Sequence, residues 1–194
     1  MNVCDSSARL LAATALVLGL AACTGYTAVD LGGTVSGLTT DGLVLANGGA
    51  TVAIPANATT YKFPTQIDDN GPYSVTIQAQ PVHLTCTLAN ASGNTSGLAI
   101  SNVNVSCVRN SYSVGGTVTG LTSEGLVLNN GSDTVTVPAN STAFTFPTKV
   151  SDGSVYGVAV LTQPSQPVAQ NCVVANGTNF MGAADVTNIT VTCM

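Results

Sequence analysis

From Gly33 onward, apolar and polar residues alternate with period two in short runs: Leu43 and Leu45, Val52 and Ile54, Tyr61 and Phe63, Tyr73 with Val75 and Ile77, Leu84 with Cys86 and Leu88, Val103 with Val105 and Cys107. Successive side chains of a strand point to opposite faces, so this alternation predicts strands half buried against a core. Turn formers separate the runs: Asn47-Gly48, Pro55-Ala56-Asn57, Asp69-Asn70-Gly71 and the stretch Asn90 to Gly97. Helical spacing appears nowhere after the N-terminal leader. Counting Gly33 to Leu38 as the first, about seven short strands precede Asn110, the number expected of a small β-sandwich.

The pattern is then written a second time. Gly32 to Pro81 aligns without a gap with Gly115 to Pro164, and 27 of the 50 positions are identical. Beyond Gln163-Pro164 the second copy carries three extra residues, after which Cys86 matches Cys172 and Cys107 matches Cys193. A period of 83 to 86 residues is too long for a solenoid or propeller unit and long enough for each copy to bury its own core. The fold class expected is all-β, with two tandem sandwich domains at 29–108 and 112–194 joined by a linker at 109–111. No third module is expected after Cys193.

The chain opens differently. Met1 to Arg9 carries one positive charge, Leu10 to Leu20 is almost wholly apolar, and Leu20-Ala21-Ala22-Cys23 closes the segment. So short an apolar run reads as a signal peptide and not as a permanent span. The closing tetrapeptide resembles the lipobox of bacterial lipoproteins. That resemblance implies a signal peptide at 1–22, acylation of Cys23, a tether at 23–28, and attachment to the membrane through lipid. Two or three acyl chains anchor far more firmly than one. Thr24 stands where an aspartate retains such proteins at the inner membrane, so the resemblance implies the outer membrane of a Gram-negative bacterium. Five residues of tether reach about 17 Å, which keeps the first domain close over the lipid.

With Cys4 removed and Cys23 acylated, four cysteines remain, in a compartment that oxidises thiols. Each copy owns one pair 21 residues apart, so the expected bridges are Cys86 with Cys107 and Cys172 with Cys193. The phase of the strands turns all four inward, and each bridge is expected to join the last two strands of its domain across the core. The single histidine, His83, has no counterpart in the second copy and reads as a solvated side chain, not as a metal ligand or a base.

Only 7% of residues are charged, and solubility rests on hydroxyls and amides. After residue 22 there are three basic and eight acidic side chains, which excludes a nucleic-acid surface. Asp68-Asp69-Asn70-Gly71 gathers oxygen atoms of the kind calcium prefers, although its counterpart Ser151-Asp152-Gly153-Ser154 keeps one carboxylate. Asp41 and Glu124 occupy equivalent loops in different copies and cannot act together as acid and base without close approach of the two domains. A serine triad lacks its histidine. Of nine Phe and Tyr, only Tyr26, Tyr112 and Phe180 are expected at the surface. Strand edges rich in Thr and Val suit the addition of a partner strand.

The order of elements, an opening GGTV, then F-x-F or Y-x-F before a turn and Y-x-V-x-[IV], resembles the transthyretin-like or carboxypeptidase-regulatory-like β-sandwich modules of exported proteins, which are Ig-like in architecture. The full string is similar to a repeat of uncharacterised bacterial lipoproteins and surface proteins, and it brings no activity with it. The function expected is therefore a non-enzymatic, lipid-anchored envelope module with a structural or protein-interaction role, with an envelope protein as possible partner and with no cofactor, metal or small-molecule substrate. The alternative is a ligand-binding lipoprotein that takes glycan, peptide or calcium in loops at one end of a sandwich, such as Thr39 to Gly42 or Asn90 to Gly97.

Overall fold

The structure, a computed structural model, describes residues 28–194; the leader, Cys23 and Tyr26 lie outside the described residues. No helix occurs among them. The first half runs β1 (Ala28–Val29), β2 (Gly32–Ser36), β3 (Leu43–Asn47), β4 (Ala50–Ile54), β5 (Thr60–Lys62), β6 (Ile67–Asp68), β7 (Pro72–Ala79), β8 (Leu84–Ala89), β9 (Ser92–Asn94) and β10 (Asn104–Arg109). The second repeats it as β11 (Ser111–Tyr112), β12 (Val114–Thr119), β13 (Leu126–Asn130), β14 (Asp133–Val137), β15 (Ala143–Thr145), β16 (Val150–Ser151), β17 (Val155–Thr162), β18 (Cys172–Ala175), β19 (Thr178–Phe180) and β20 (Val186–Cys193).

Each half is sandwich-like. In the first, one sheet has the order β5-β2-β10-β8 and the other β4-β3-β7-β9, with β1 and β6 forming a two-residue pair; the second half has the same orders with each number raised by ten. Where about seven strands were expected, eight build the two sheets. The addition is β9, which forms inside the turn-rich stretch Asn90 to Gly97 by pairing with the start of β7. Its three residues are all exposed, so no apolar period marks it.

The packing follows the alternation. Leu31, Leu43, Leu45, Phe63, Val103 and Val105 lie in the first core, and Val114, Leu126, Leu128, Phe146, Ile189 and Val191 in the second. Each core draws on its own half alone. The hairpins between β3 and β4 and between β13 and β14 turn on Gly48 (φ +58°) and Gly131 (φ +61°). In both, the asparagine before the glycine accepts a hydrogen bond from the neighbouring strand: Asn47 Oδ1 from Ser74 N–H at 2.9 Å, and Asn130 Oδ1 from Gly157 N–H at 2.8 Å.

The diglycine that opens each copy is explained by close approach. β2 pairs antiparallel with β5 on one side and parallel with β10 on the other. A Cβ on Gly32 would run into the Tyr61 carbonyl and one on Gly33 into the Val103 carbonyl; Gly115 and Gly116 face Phe144 and Ile189 in the same way. Any larger residue would force the strands apart.

Both expected disulfides are present. They differ from expectation in where they lie, for they do not cross between the sheets. Cys86 and Cys107 are direct partners on the adjacent antiparallel strands β8 and β10, with Cα atoms 3.9 Å apart, and Cys172 and Cys193 are partners on β18 and β20 at 4.0 Å. The inward phase is as read, since all four are buried. The reason for the difference is topological: β8 and β10 are consecutive long strands of one sheet, with β9 diverted into the other.

A second device, not read from the sequence, secures the same edge. Gln80 Oε1 accepts the N–H of Cys86 at 2.8 Å while its Nε2 donates to the Cys86 carbonyl at 3.0 Å; Gln163 does this to Cys172 at 2.7 and 3.0 Å. The side-chain amide stands in for a neighbouring strand, satisfying backbone groups that an edge would otherwise leave open.

The bridge closes a loop of about 20 residues, worth on the order of 3 kcal/mol by chain entropy. Cys86→Ala should therefore destabilise the first half by about 2 to 5 kcal/mol and leave the second folded. Limited proteolysis with fragment identification checks this. Simultaneous digestion of both halves would show that they unfold as one unit.

Candidate functional site

Two places bring polar side chains together: the junction between the halves and a groove beside each diglycine. At the junction β10 ends at Arg109 and β11 begins at Ser111, so Asn110 alone connects them. Its N–H donates to the His83 carbonyl at 3.0 Å, its carbonyl accepts the Asp152 N–H at 2.9 Å, and its Oδ1 accepts the Thr85 hydroxyl at 2.6 Å. One residue is thus bonded to both halves.

His83 keeps solvent access, with its side chain 39% exposed, but it has a neighbour that the sequence did not show: on the β7–β8 loop, with φ +64°, it reaches across the junction and sets Nδ1 2.9 Å from Oδ1 of Asp152, in the turn between β16 and β17. Asp152 is only 2% exposed. The contact is an ion-pair distance without hydrogen-bond direction, and neither atom has a hydrogen-bond partner. The ring of a first-half histidine thus lies against a buried carboxylate of the second half.

The grooves lie at equivalent places. The first, about 290 Å³, is lined by Gly32, Gly33, Tyr61, Lys62, Asp30 and Ile100; the second, about 420 Å³, by Gly115, Gly116, Phe144, Thr145, Asp185 and Val186 among others. In the first, Asp30 accepts Gln66 Nε2 at 2.9 Å and Lys62 Nζ at 3.1 Å, and these two bonds, Gln66 first, hold its carboxyl below the usual carboxylate range. The pair with Lys62 is exposed and solvent-screened. Tyr61 donates its hydroxyl to the Val103 carbonyl at 3.0 Å, and burial pushes its pKa up to about 12. In the second groove Asp185 Oδ1 accepts the Ser113 N–H at 2.7 Å. The carboxylate of each groove is already bonded within its own half.

The other candidate residues are placed as follows. The Asp68 carbonyl accepts the Gly71 N–H at 2.9 Å and the Thr95 hydroxyl at 3.1 Å, so the acidic turn packs on the stretch Asn90 to Gly97. No group of three or more Asp, Glu, His or Cys suited to a metal occurs among the described residues. Asp41 Oδ1 accepts the Ala56 N–H at 2.7 Å, capping the turn after β4. Glu124 exchanges backbone bonds with Gln166 and Ser165. The loops Thr39 to Gly42 and Asn90 to Gly97 fall at opposite ends of the first half, because β2 runs parallel to β10 and β8 antiparallel to it. Tyr112 packs against the second core, whereas Phe180 is exposed as expected.

No family model matches the chain, and no curated protein matches it. Among solved structures, the major pilin protein (T-13) from Streptococcus pyogenes serotype GAS131465 is similar along 87% of this chain and 96% of its own, at 10% identity and a TM-score of 0.27. A likeness at that score carries no functional argument, and the all-β assignment stands on the strand pairing itself.

Two outcomes follow from the site geometry. Tyr61 has a folded pKa above its unfolded value of about 10. Its contribution is therefore complete below about pH 10 and is lost as pH rises toward about 12. The first half should lose stability over that window, and Tyr61→Phe should lessen that loss in thermal melts from pH 9 to 12.

His83→Ala removes the side chain that reaches across the junction to Asp152 and should loosen the junction. Trypsin reads this directly, because Arg109 adjoins Asn110: cleavage after Arg109 should quicken roughly tenfold, corresponding to about 1.4 kcal/mol, while cleavage after Lys62, on β5 away from the junction, stays unchanged. Equal rates in the variant and the parent would show that the contact does not hold the junction.

Proposed function

We propose that this protein is a non-enzymatic, lipid-anchored component of the cell envelope whose two halves are separate domains serving a structural or protein-interaction role. The observation that carries the reading is the duplicated, buried cross-strand disulfide, backed in each half by the glutamine clasp on the same cysteine. A bridge built twice into the fold belongs to a chain made for an oxidising compartment. The lipobox-like ending at Cys23 supplies the address, and an outer-membrane location agrees with Thr24. The partner expected is another envelope protein.

One observation favours a second reading, ligand binding: the groove beside the diglycine recurs at the same place in both halves. A glycan or peptide lying there, or calcium at the turn Asp68 to Gly71, would raise the thermal midpoint of the folded protein, because a ligand that prefers the folded state stabilises it. An unchanged midpoint with envelope glycans, peptides and calcium eliminates this reading.

The anchor is tested by Cys23→Ser. Acylation should be lost, leaving an uncleaved precursor or a soluble species on fractionation. A mature-sized variant that still sediments with membranes overturns lipid anchoring.

A further inference from the structure

The contact between His83 and Asp152 is too short to be incidental and has the wrong direction for a hydrogen bond. Nδ1 and Oδ1 lie 2.9 Å apart, yet neither atom has a hydrogen-bond partner. A shared proton needs to lie near the line between its two atoms, and an interaction without that alignment weakens steeply. Something other than a proton fits this pair better.

Solvent does not relieve it either. The Asp152 side chain is 3% exposed, and its Oδ1 is shut off from water together with Nδ1 of His83. Buried charges are held by a partner ion or by a metal. The remainder of the ring opens outward, since the His83 side chain is 39% exposed. A Cβ built on Gly153 would meet nothing nearer than that ring, at 3.9 Å, so there is open space beside it.

We propose that Nδ1 of His83 and Oδ1 of Asp152 are two ligands of a divalent first-row transition-metal ion that ties the two halves together at their junction. Distance selects the geometry. Donors bonded to one ion at about 2.1 Å lie about 3.0 Å apart when they meet at a right angle, and about 3.4 Å apart at a tetrahedral angle. The observed 2.9 Å fits neighbouring positions of a six-coordinate ion. Ligand type selects the ion, because imidazole suits zinc, copper, iron and nickel, whereas calcium and magnesium take oxygen. No third Asp, Glu, His or Cys completes a cluster among the described residues, so water fills the other positions and the ion is held weakly and reversibly. By sequence alone His83 has no second donor near it; the fold brings one from the other half, 69 residues away. Each core draws on its own half and Asn110 alone connects them, so an ion held from both sides is a fastening whose strength follows metal supply.

The test titrates the untagged full chain with nickel chloride. His83 is the chain's only histidine, so its ring-proton resonances report the site directly and should change in a saturable way. At saturation, trypsin cleavage after Arg109 relative to cleavage after Lys62 should fall at least threefold and recover when a chelator is added. Asp152→Asn, which keeps the size of the side chain, should raise the nickel midpoint at least tenfold, and His83→Gln should abolish the effect on cleavage, with both disulfides intact in each variant. No saturable change, a cleavage ratio indifferent to nickel, an equal response to calcium chloride, or a midpoint unmoved by Asp152→Asn, as a lone surface imidazole would give, overturns the proposal.

Discussion

Strand β2 lies so close between β5 and β10 that the residues opening it have no room for a side chain. Everything else in a half follows from that clamp. It places the first long strand parallel to the last, so the sheet closes only after the whole copy has been brought together. Such non-local pairing is slow to form and dear in chain entropy. The fold answers with fastenings on the far side of the same sheet: the disulfide ties β10 to β8, and the Gln80 amide then occupies the outer edge of β8 at the same cysteine. Glycine, cystine and glutamine thus secure one sheet from end to end, and the second half repeats all three.

The clasp also limits what the edges can do. At Cys86 and Cys172 the N–H and carbonyl that would receive an incoming strand are bonded to a side chain of the same half. The ends are specialised by position: the turn that packs on Asn90 to Gly97 in the first half becomes, in the second, the seat of Asp152 beneath His83. The outer face is specialised too, polar along β7 and apolar along β17. A duplicated chain shows which positions packing dictates, since those stay alike, and which are free to acquire a role.

The sequence by itself determined the all-β class, two sandwich-like halves, the bridge partners and the inward phase of the cysteines, because period-two alternation and repeated spacing are local and written twice. It also marked Phe180 as exposed. The strand β9 escaped because three exposed residues have no apolar phase. The placement of the bridge within one sheet was decided by strand order, which no local pattern encodes. The pairing of Gln80 with the Cys86 backbone was legible only as an unexplained identity, the repeated Gln-Pro before the first cysteine. His83 left no signal at all, for its partner lies 69 residues away in the other half and the contact exists only once. Periodicity reports which face a side chain occupies; which faces meet is settled by long-range packing, and only the tertiary structure decided that.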